Sequence, residues 1–265
     1  MVSIGIDPIL ITLGPFSISW HGLFFAAAIV VGVWLSAHLI ARSGLSVDRL
    51  YSIAFWGVPG GIIGARLVHV VDHWGFYSAN PGAIFAFWEG GLALWGGVLG
   101  GIITVLIFSR ISRFRVAPYA DRIALVLILG QAIGRIGDII NGEHFSTTTG
   151  LPWGVVYTHS NSPSYGRLPQ HPAVAYELLM DLFILGILWK LRGRIQPEGS
   201  LFLLYLIIYA TGRFFLSFLR LDSHTVFLTL NQAQWISLLV LVVAVPLLIL
   251  KKPSYQKQAG MGAKD

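Results

Sequence analysis

Gln131-Ala-Ile-Gly-Arg135-Ile-Gly-Asp138-Ile-Ile-Asn141-Gly-Glu143-His144 closes a long apolar run, and its reading decides the fold. On a helix, Arg135 and Asp138 lie three apart, as do Asp138 and Asn141, so the three share one face. A polar stripe at the end of an apolar helix needs partners, and the rest of the chain must supply them.

Outward from this stretch the chain is apolar almost throughout. It is 55% hydrophobic and 11% charged, against about 25% charge in an ordinary soluble domain. Its mean hydropathy is +0.72. With 9 Trp and 16 Phe, it is rich in the rings that settle at membrane interfaces. A membrane span needs about 20 apolar residues. Seven segments qualify, at 18–41, 50–72, 92–109, 119–140, 173–190, 200–219 and 233–250. The expectation is an all-α polytopic membrane protein with seven transmembrane helices in one domain over 1–250, followed by a disordered basic tail over 251–265. No positive n-region precedes the first segment, so it is read as a mature span. Cysteine is absent, which excludes disulfides, thiolate metal sites and a cysteine nucleophile.

The basic residues orient the seven spans. Arg42 and Arg49 follow span one, and Arg110, Arg113, Arg115 and Arg122 flank the loop after span three. Lys190, Arg192 and Arg194 follow span five, and Lys251, Lys252, Lys257 and Lys264 follow span seven. These thirteen of the 18 Lys and Arg fall on one side. By the positive-inside rule that side is cytoplasmic, the N-terminus is outside and the C-terminus is inside. The formal charge of +6 is thereby read as membrane topology, with no nucleic-acid partner.

Of the five that remain, Arg167 falls in the long outer loop, and Arg66, Arg135, Arg213 and Arg220 lie in or at the ends of spans two, four and six, each towards the outer leaflet. These four either snorkel to the headgroups or line a polar cavity. Tyr209, Arg213, Ser217 and Arg220 share one face of span six. His21, Glu89, Trp95, His171, Tyr176, Glu177 and Gln234 stand at the same level, each as a cap, an anchor or a cavity group. Gly57/Gly61, Gly60/Gly64 and Gly96/Gly100 have the four-residue spacing of closely packed helices, while Gly90 and Gly91 suit a bend. The scattered histidines indicate no metal site, and no cofactor motif is present. Arginine forks in a low-dielectric cavity suit a phosphate, most simply that of an anionic phospholipid. Glu143 is the first candidate for a general base, with His144 and His21 as alternatives. With no internal nucleophile in view, the acceptor substrate brings its own. A transporter or lipid-binding protein with the same arginine cavity is the other class. It would need polar groups reaching both sides, whereas the inner ends carry chiefly loop charges.

Gly134-Arg135-Ile136-Gly137-Asp138-Ile139-Ile140-Asn141-Gly142-Glu143 resembles the signature of the bacterial prolipoprotein diacylglyceryl transferases, Gly-Arg-x-Gly-Asn followed by Asn-x-Glu. Trp20-His21-Gly22-Leu23, Gly64-Ala65-Arg66-Leu67 and Glu89-Gly90-Gly91 through Gly96-Gly97 are similar to further family stretches. So are His171-Pro172 with Tyr176-Glu177, Tyr209 to Ser223, and Gln234 to Ser237. The resemblance implies an enzyme of the bacterial inner membrane with its site towards the outer face. It implies transfer of the diacylglyceryl group of phosphatidylglycerol to the lipobox cysteine of a prolipoprotein signal peptide, releasing glycerol 1-phosphate, with no metal or cofactor. Arg135, Glu143, Arg213, Asn141 and Tyr209 take the catalytic positions. Arg135, Arg213, Arg66, His21, Asp138 and Arg220 take the lipid-binding ones. Three positions depart from the pattern: Asp138 stands for Asn, His21 for Tyr, and Trp95 where some members have a histidine proposed as the base. Asp138 adds a negative charge beside a phosphate site unless it pairs with Arg135.

Overall fold

The computed structural model describes residues 1–14, 16–86, 91, 93–221, 225–227 and 229–255. Its helices are α1 (Trp20–Arg42), α2 (Val47–Asp72), α3 (Trp74–Ala79), α4 (Leu94–Ile111), α5 (Ala117–Asn141), α6 (Ala173–Leu191), α7 (Ser200–Leu216) and α8 (Gln232–Lys251). Each of the seven apolar segments read from the sequence carries a helix, with ends displaced by a few residues. Five are long and apolar enough to cross a membrane: α1, α2, α5, α8, and α7 with the 3-10 turn that extends it to Leu219. The apolar stretch of α4, Trp95–Ile111, is shorter. In α6, Glu177, Asp181 and Lys190 interrupt 19 otherwise apolar residues. Residues 256–265 of the expected basic tail lie outside the described residues.

The helices are apolar outside. Val30, Trp34, Phe55, Phe183, Phe215 and Val242 are exposed, while Glu177, Asp181, Gln234 and Ser237 are buried. A water-soluble helix distributes its residues the other way, so lipid is the solvent that suits this surface. The chain divides into two compact units, one of Ala37–Tyr119 and one of Met1–Ser36 with Ala120–Asp265.

In the unit of Ala37–Tyr119, α2 packs along α4 through facing glycines. A Cβ on Gly64 would lie 2.8 Å from the Gly100 Cα, and one on Gly61 would lie 3.1 Å from the Gly97 carbonyl. Only glycine permits this approach of backbone to backbone, which is the packing the spacing predicts. Arg66 is buried here. It donates from Nε to the Ile84 carbonyl at 2.9 Å, from Nη1 to Gly91 at 3.1 Å, and from Nη2 to Ala83 at 2.5 Å and Ala86 at 3.2 Å.

In the other unit, α7 packs against α6 and α8. Asp121, near the start of α5, accepts from the Gly199 and Phe202 amides at 2.7 and 2.9 Å and so caps the first turn of α7. At the start of α8, Asn231 and Gln234 form a capping box. Asn231 Nδ2 also donates to the Ser217 carbonyl at 3.2 Å, tying α8 to the turn that ends α7.

The segment before α1 and the α5–α6 connection add short strands that apolar periodicity does not reveal. β1 (Val2–Ile4) pairs in parallel with β4 (Val155–Tyr157), following a pairing across more than half the chain. β2 (Ile9–Leu13) and β3 (Phe16–Ser19) form an antiparallel ribbon that leads directly into α1. The α5–α6 connection also closes the C-terminal end of α5, whose last carbonyls lack helical partners. Tyr157 donates to the Ile139 carbonyl at 2.8 Å, Ser162 to Asn141 at 3.3 Å and Ser164 to Gly142 at 2.5 Å. Gly142 reverses the chain with φ of 70°. Burial pushes the Tyr157 hydroxyl up to about 12, so it remains a donor.

Candidate functional site

The polar stripe finds its partners within the larger unit. As the spacing predicts, Arg135 Nη1 donates to Asp138 Oδ2 at 3.0 Å, three residues on. Its Nη2 lies 2.9 Å from Glu177 Oε2 on α6. Glu177 is 1% exposed and is the focus of the site. Arg213 Nη1 donates to its Oε1 in a close contact, and Arg220 Nη1 reaches both oxygens at 3.0 and 3.2 Å. Three guanidinium groups from α5, α7 and the segment after α7 thus converge on one carboxylate. A buried charge persists when its partners are this close and this well aimed. Arg220, expected to snorkel or to bind, is buried and bound. Tyr209, one turn before Arg213 on α7, stands within electrostatic reach of Arg135 and Arg213.

The second half of the site surrounds Asp138. His21 Nδ1 lies 2.7 Å from Asp138 Oδ1, which brings the first turn of α1 onto the last turns of α5. Gly137 makes room for that approach, since a Cβ there would lie 2.9 Å from the His21 Cα. His144 Nε2 is 3.5 Å from Asp138 Oδ2. Its Nδ1 accepts from Arg220 Nη2 at 2.7 Å. Arginine only donates, so Nδ1 is the acceptor and Nε2 carries the proton. Asn141 Nδ2 donates to Glu143 Oε2 at 2.8 Å, and the Glu143 side chain is 41% exposed. The doubt raised by Asp138 in the sequence has a structural answer: its charge is balanced by Arg135 and hydrogen-bonded by histidine.

One polar thread therefore runs from His21 through Asp138 to Arg135 and His144, and from these to Glu177, Arg213 and Arg220. Ligand atoms of His21, Asp138 and Glu143 lie within 4.8 Å of one another, a spacing that could hold a divalent ion. The Arg135 guanidinium already supplies positive charge to Asp138 there.

Of the residues singled out in the sequence, Arg135, Asp138, Asn141, Glu143, His21, Tyr209, Arg213 and Arg220 all lie in the larger unit. Arg66 belongs to the other unit, where backbone carbonyls occupy its donors. Trp95 lies in the first turn of α4 in that same unit, and Glu89 and Gly90 lie outside the described residues. Gln234 is a helix cap, and Tyr176 accepts from Trp153 Nε1 at 2.7 Å. The central place of Glu177 was not read from the sequence, which offered it as a cap, an anchor or a cavity group at the start of span five and within a family stretch, but gave it no role in the site. Asp181, four residues later, was missed altogether. It is 0% exposed, and its two oxygens have no hydrogen-bond partner among the described residues. The signal was available: two carboxylates one turn apart inside an apolar helix demand cations nearby.

Comparison with known proteins adds a family. The family model described as prolipoprotein diacylglyceryl transferase matches residues 8–250. A protein of Dehalococcoides mccartyi is 34% identical over 94% of this chain and 95% of its own length. One of Trichormus variabilis is 38% identical over 82% of this chain and 79% of its own. One of Bacillus velezensis is 34% identical over 93% of each. All three are named phosphatidylglycerol–prolipoprotein diacylglyceryl transferase.

Proposed function

Because the chain belongs to the prolipoprotein diacylglyceryl transferase family, we propose that it transfers the diacylglyceryl group of phosphatidylglycerol to the lipobox cysteine thiol of a prolipoprotein. Glycerol 1-phosphate is released. The observation that carries this reading is the convergence of Arg135, Arg213 and Arg220 on the single buried carboxylate of Glu177. A set of guanidinium forks preorganised around one anion is suited to a phosphodiester, whose oxygens accept from the same fork geometry.

In the proposed reaction the cysteine sulfur attacks the glyceryl carbon bonded to the phosphate oxygen. A carbon–sulfur bond forms and the carbon–oxygen bond breaks. Charge grows on the departing phosphate, where Arg135 and Arg213 stabilise it. Arg220 extends the cradle, and Tyr209 borders it. Asn141 fixes Glu143 at the rim. Asp138 and His21 complete the polar wall, with Asp138 holding Arg135 in place. Arg66 has a holding role in its own unit, gathering the carbonyls of Ala83, Ile84, Ala86 and Gly91.

The same reading sets the chain in the bacterial inner membrane. With the seven spans read from the sequence, the positive-inside rule supports an N-terminus outside and the thirteen loop and tail cations inside. The end of α5 and the start of α6 then face outward, where a secreted prolipoprotein presents its lipobox. Purified protein incubated with phosphatidylglycerol and a lipobox peptide should yield a diacylglyceryl thioether peptide by mass spectrometry. Folded protein that forms none beside an active relative would refute the proposal.

A further inference from the structure

Transfer to a thiol leaves a proton to be accounted for, and the structure limits which group takes it. The inference rests on the transferase reading. Around the polar end of α5, the groups able to accept a proton are Glu143, His144, His21 and Asp138. Glu143 is half solvated, and its Oε2 is already engaged by the Asn141 amide. His144 has both ring nitrogens engaged, Nδ1 accepting from Arg220 and Nε2 directed at Asp138. Asp138 is buried and encircled by His21, Arg135 and His144.

His21 differs from all of these. An ionised carboxylate can only accept, so the 2.7 Å contact places the ring proton on Nδ1, donating to Asp138 Oδ1. Nε2 then carries the free lone pair. It has no hydrogen-bond partner among the described residues, and the side chain is 43% exposed. The ring lies nearly parallel to Phe25, at 10°, on the apolar surface of α1. The charged and titratable groups facing it are Asp138 and Glu143, the latter 3.9 Å from Nδ1, with Arg135 and His144 behind Asp138. A carboxylate on one imidazole nitrogen fixes the tautomer, orients the ring and stabilises the imidazolium once formed.

We propose that His21 Nε2 is the proton acceptor for the incoming cysteine thiol, with Asp138 as the positioning residue that holds the ring in this tautomer. The thiol proton moves to Nε2 as sulfur bonds to the glyceryl carbon. The carbon–oxygen bond breaks, glycerol 1-phosphate departs with the bonding pair, and the imidazolium returns its proton to that phosphate or to water. Nothing is oxidised or reduced, and no further reactant is required.

The test uses purified full-length protein, phosphatidylglycerol micelles and a lipobox peptide. If wild type forms no product, the transferase reading falls and takes this inference with it. With active wild type, His21→Gln is expected to lose about 100-fold in kcat/KM, chiefly in kcat. It should still bind phosphatidylglycerol, lose the acidic limb of the pH–rate profile, and recover part of its rate with added imidazole. Asp138→Asn is expected to displace that limb and to lose about 10-fold. A purely structural role would move neither limb nor rescue. His21→Gln at wild-type rate, or a monodisperse His21→Gln whose limb is retained and whose loss imidazole does not relieve, overturns the assignment. So does a divalent-cation requirement that His21→Gln abolishes, since the cluster would then be a metal site. Undiminished wild-type turnover in EDTA supports the dyad.

Discussion

Glu177 is one carboxylate asked to satisfy three arginines. Removing its charge while keeping its shape leaves those arginines facing one another in a buried site. Glu177→Gln is therefore expected to destabilise the protein by about 3–5 kcal/mol, read as a lowered denaturation midpoint in detergent. Arg135 is the converse case, one guanidinium holding two carboxylates through different nitrogens. An ammonium cannot do both, so Arg135→Lys should fold but lose about 100-fold or more in turnover, checked by the peptide assay. Wild-type turnover would remove Arg135 from the phosphate cradle. At this scale much of the site was legible. Arg135, Asp138, Asn141 and Glu143 were marked by polarity in an apolar run, and the pairing of Arg135 with Asp138 by their three-residue spacing. Which arginines meet Glu177 was not legible, because that depends on how α5, α6 and α7 pack. Two departures from the family pattern, His21 for Tyr and Asp138 for Asn, fall on the two ends of one hydrogen bond. A substitution on one side thus has its answer on the other, though the residues are 117 apart in sequence.

The seven long helices were written in the sequence by length and apolarity, and their positions agree within a few residues, whereas the short α3 was not read. The segments between them were not. β1 pairs with β4, and periodicity carries no information on a partner that distant. The loop from β4 onward instead supplies side-chain donors to the end of α5, an element whose polar terminus would otherwise expose unpaired carbonyls. Tyr157→Phe removes one of these bonds and leaves the partly buried Ile139 carbonyl unpaired. It should cost about 1–3 kcal/mol by chemical denaturation, with reduced turnover because Asn141 and Glu143 are held by the same cap. The glycine contact of α2 with α4 is stricter. Gly64→Val inserts atoms where the Gly100 backbone lies. It is expected to lower yield and melting temperature sharply, by overpacking of about 1–3 kcal/mol or more, and a stable Gly64→Val would show that the two helices can separate freely.

For the molecule as a whole, the distribution of cations is a statement about which face looks inward. The natural absence of cysteine makes it directly testable. A single cysteine in place of exposed Tyr165 should react with an impermeant maleimide on intact spheroplasts. One in place of exposed Arg192 should react only after permeabilisation, and the opposite pattern would reverse the proposed orientation. Arg135, finally, is a node common to two circuits, one through Asp138 to His21 and one through Glu177 to Arg213 and Arg220. Free energies on such a node do not add. A double-mutant cycle between Asp138→Asn and Glu177→Gln should return an interaction of about 0.5–3 kcal/mol. A phosphodiester that draws Arg135 from one carboxylate alters its grip on the other. On the proposed lipid role of Arg135, phosphatidylglycerol should therefore change the apparent affinity for the thiol peptide, a dependence that initial-rate kinetics with both substrates varied would show.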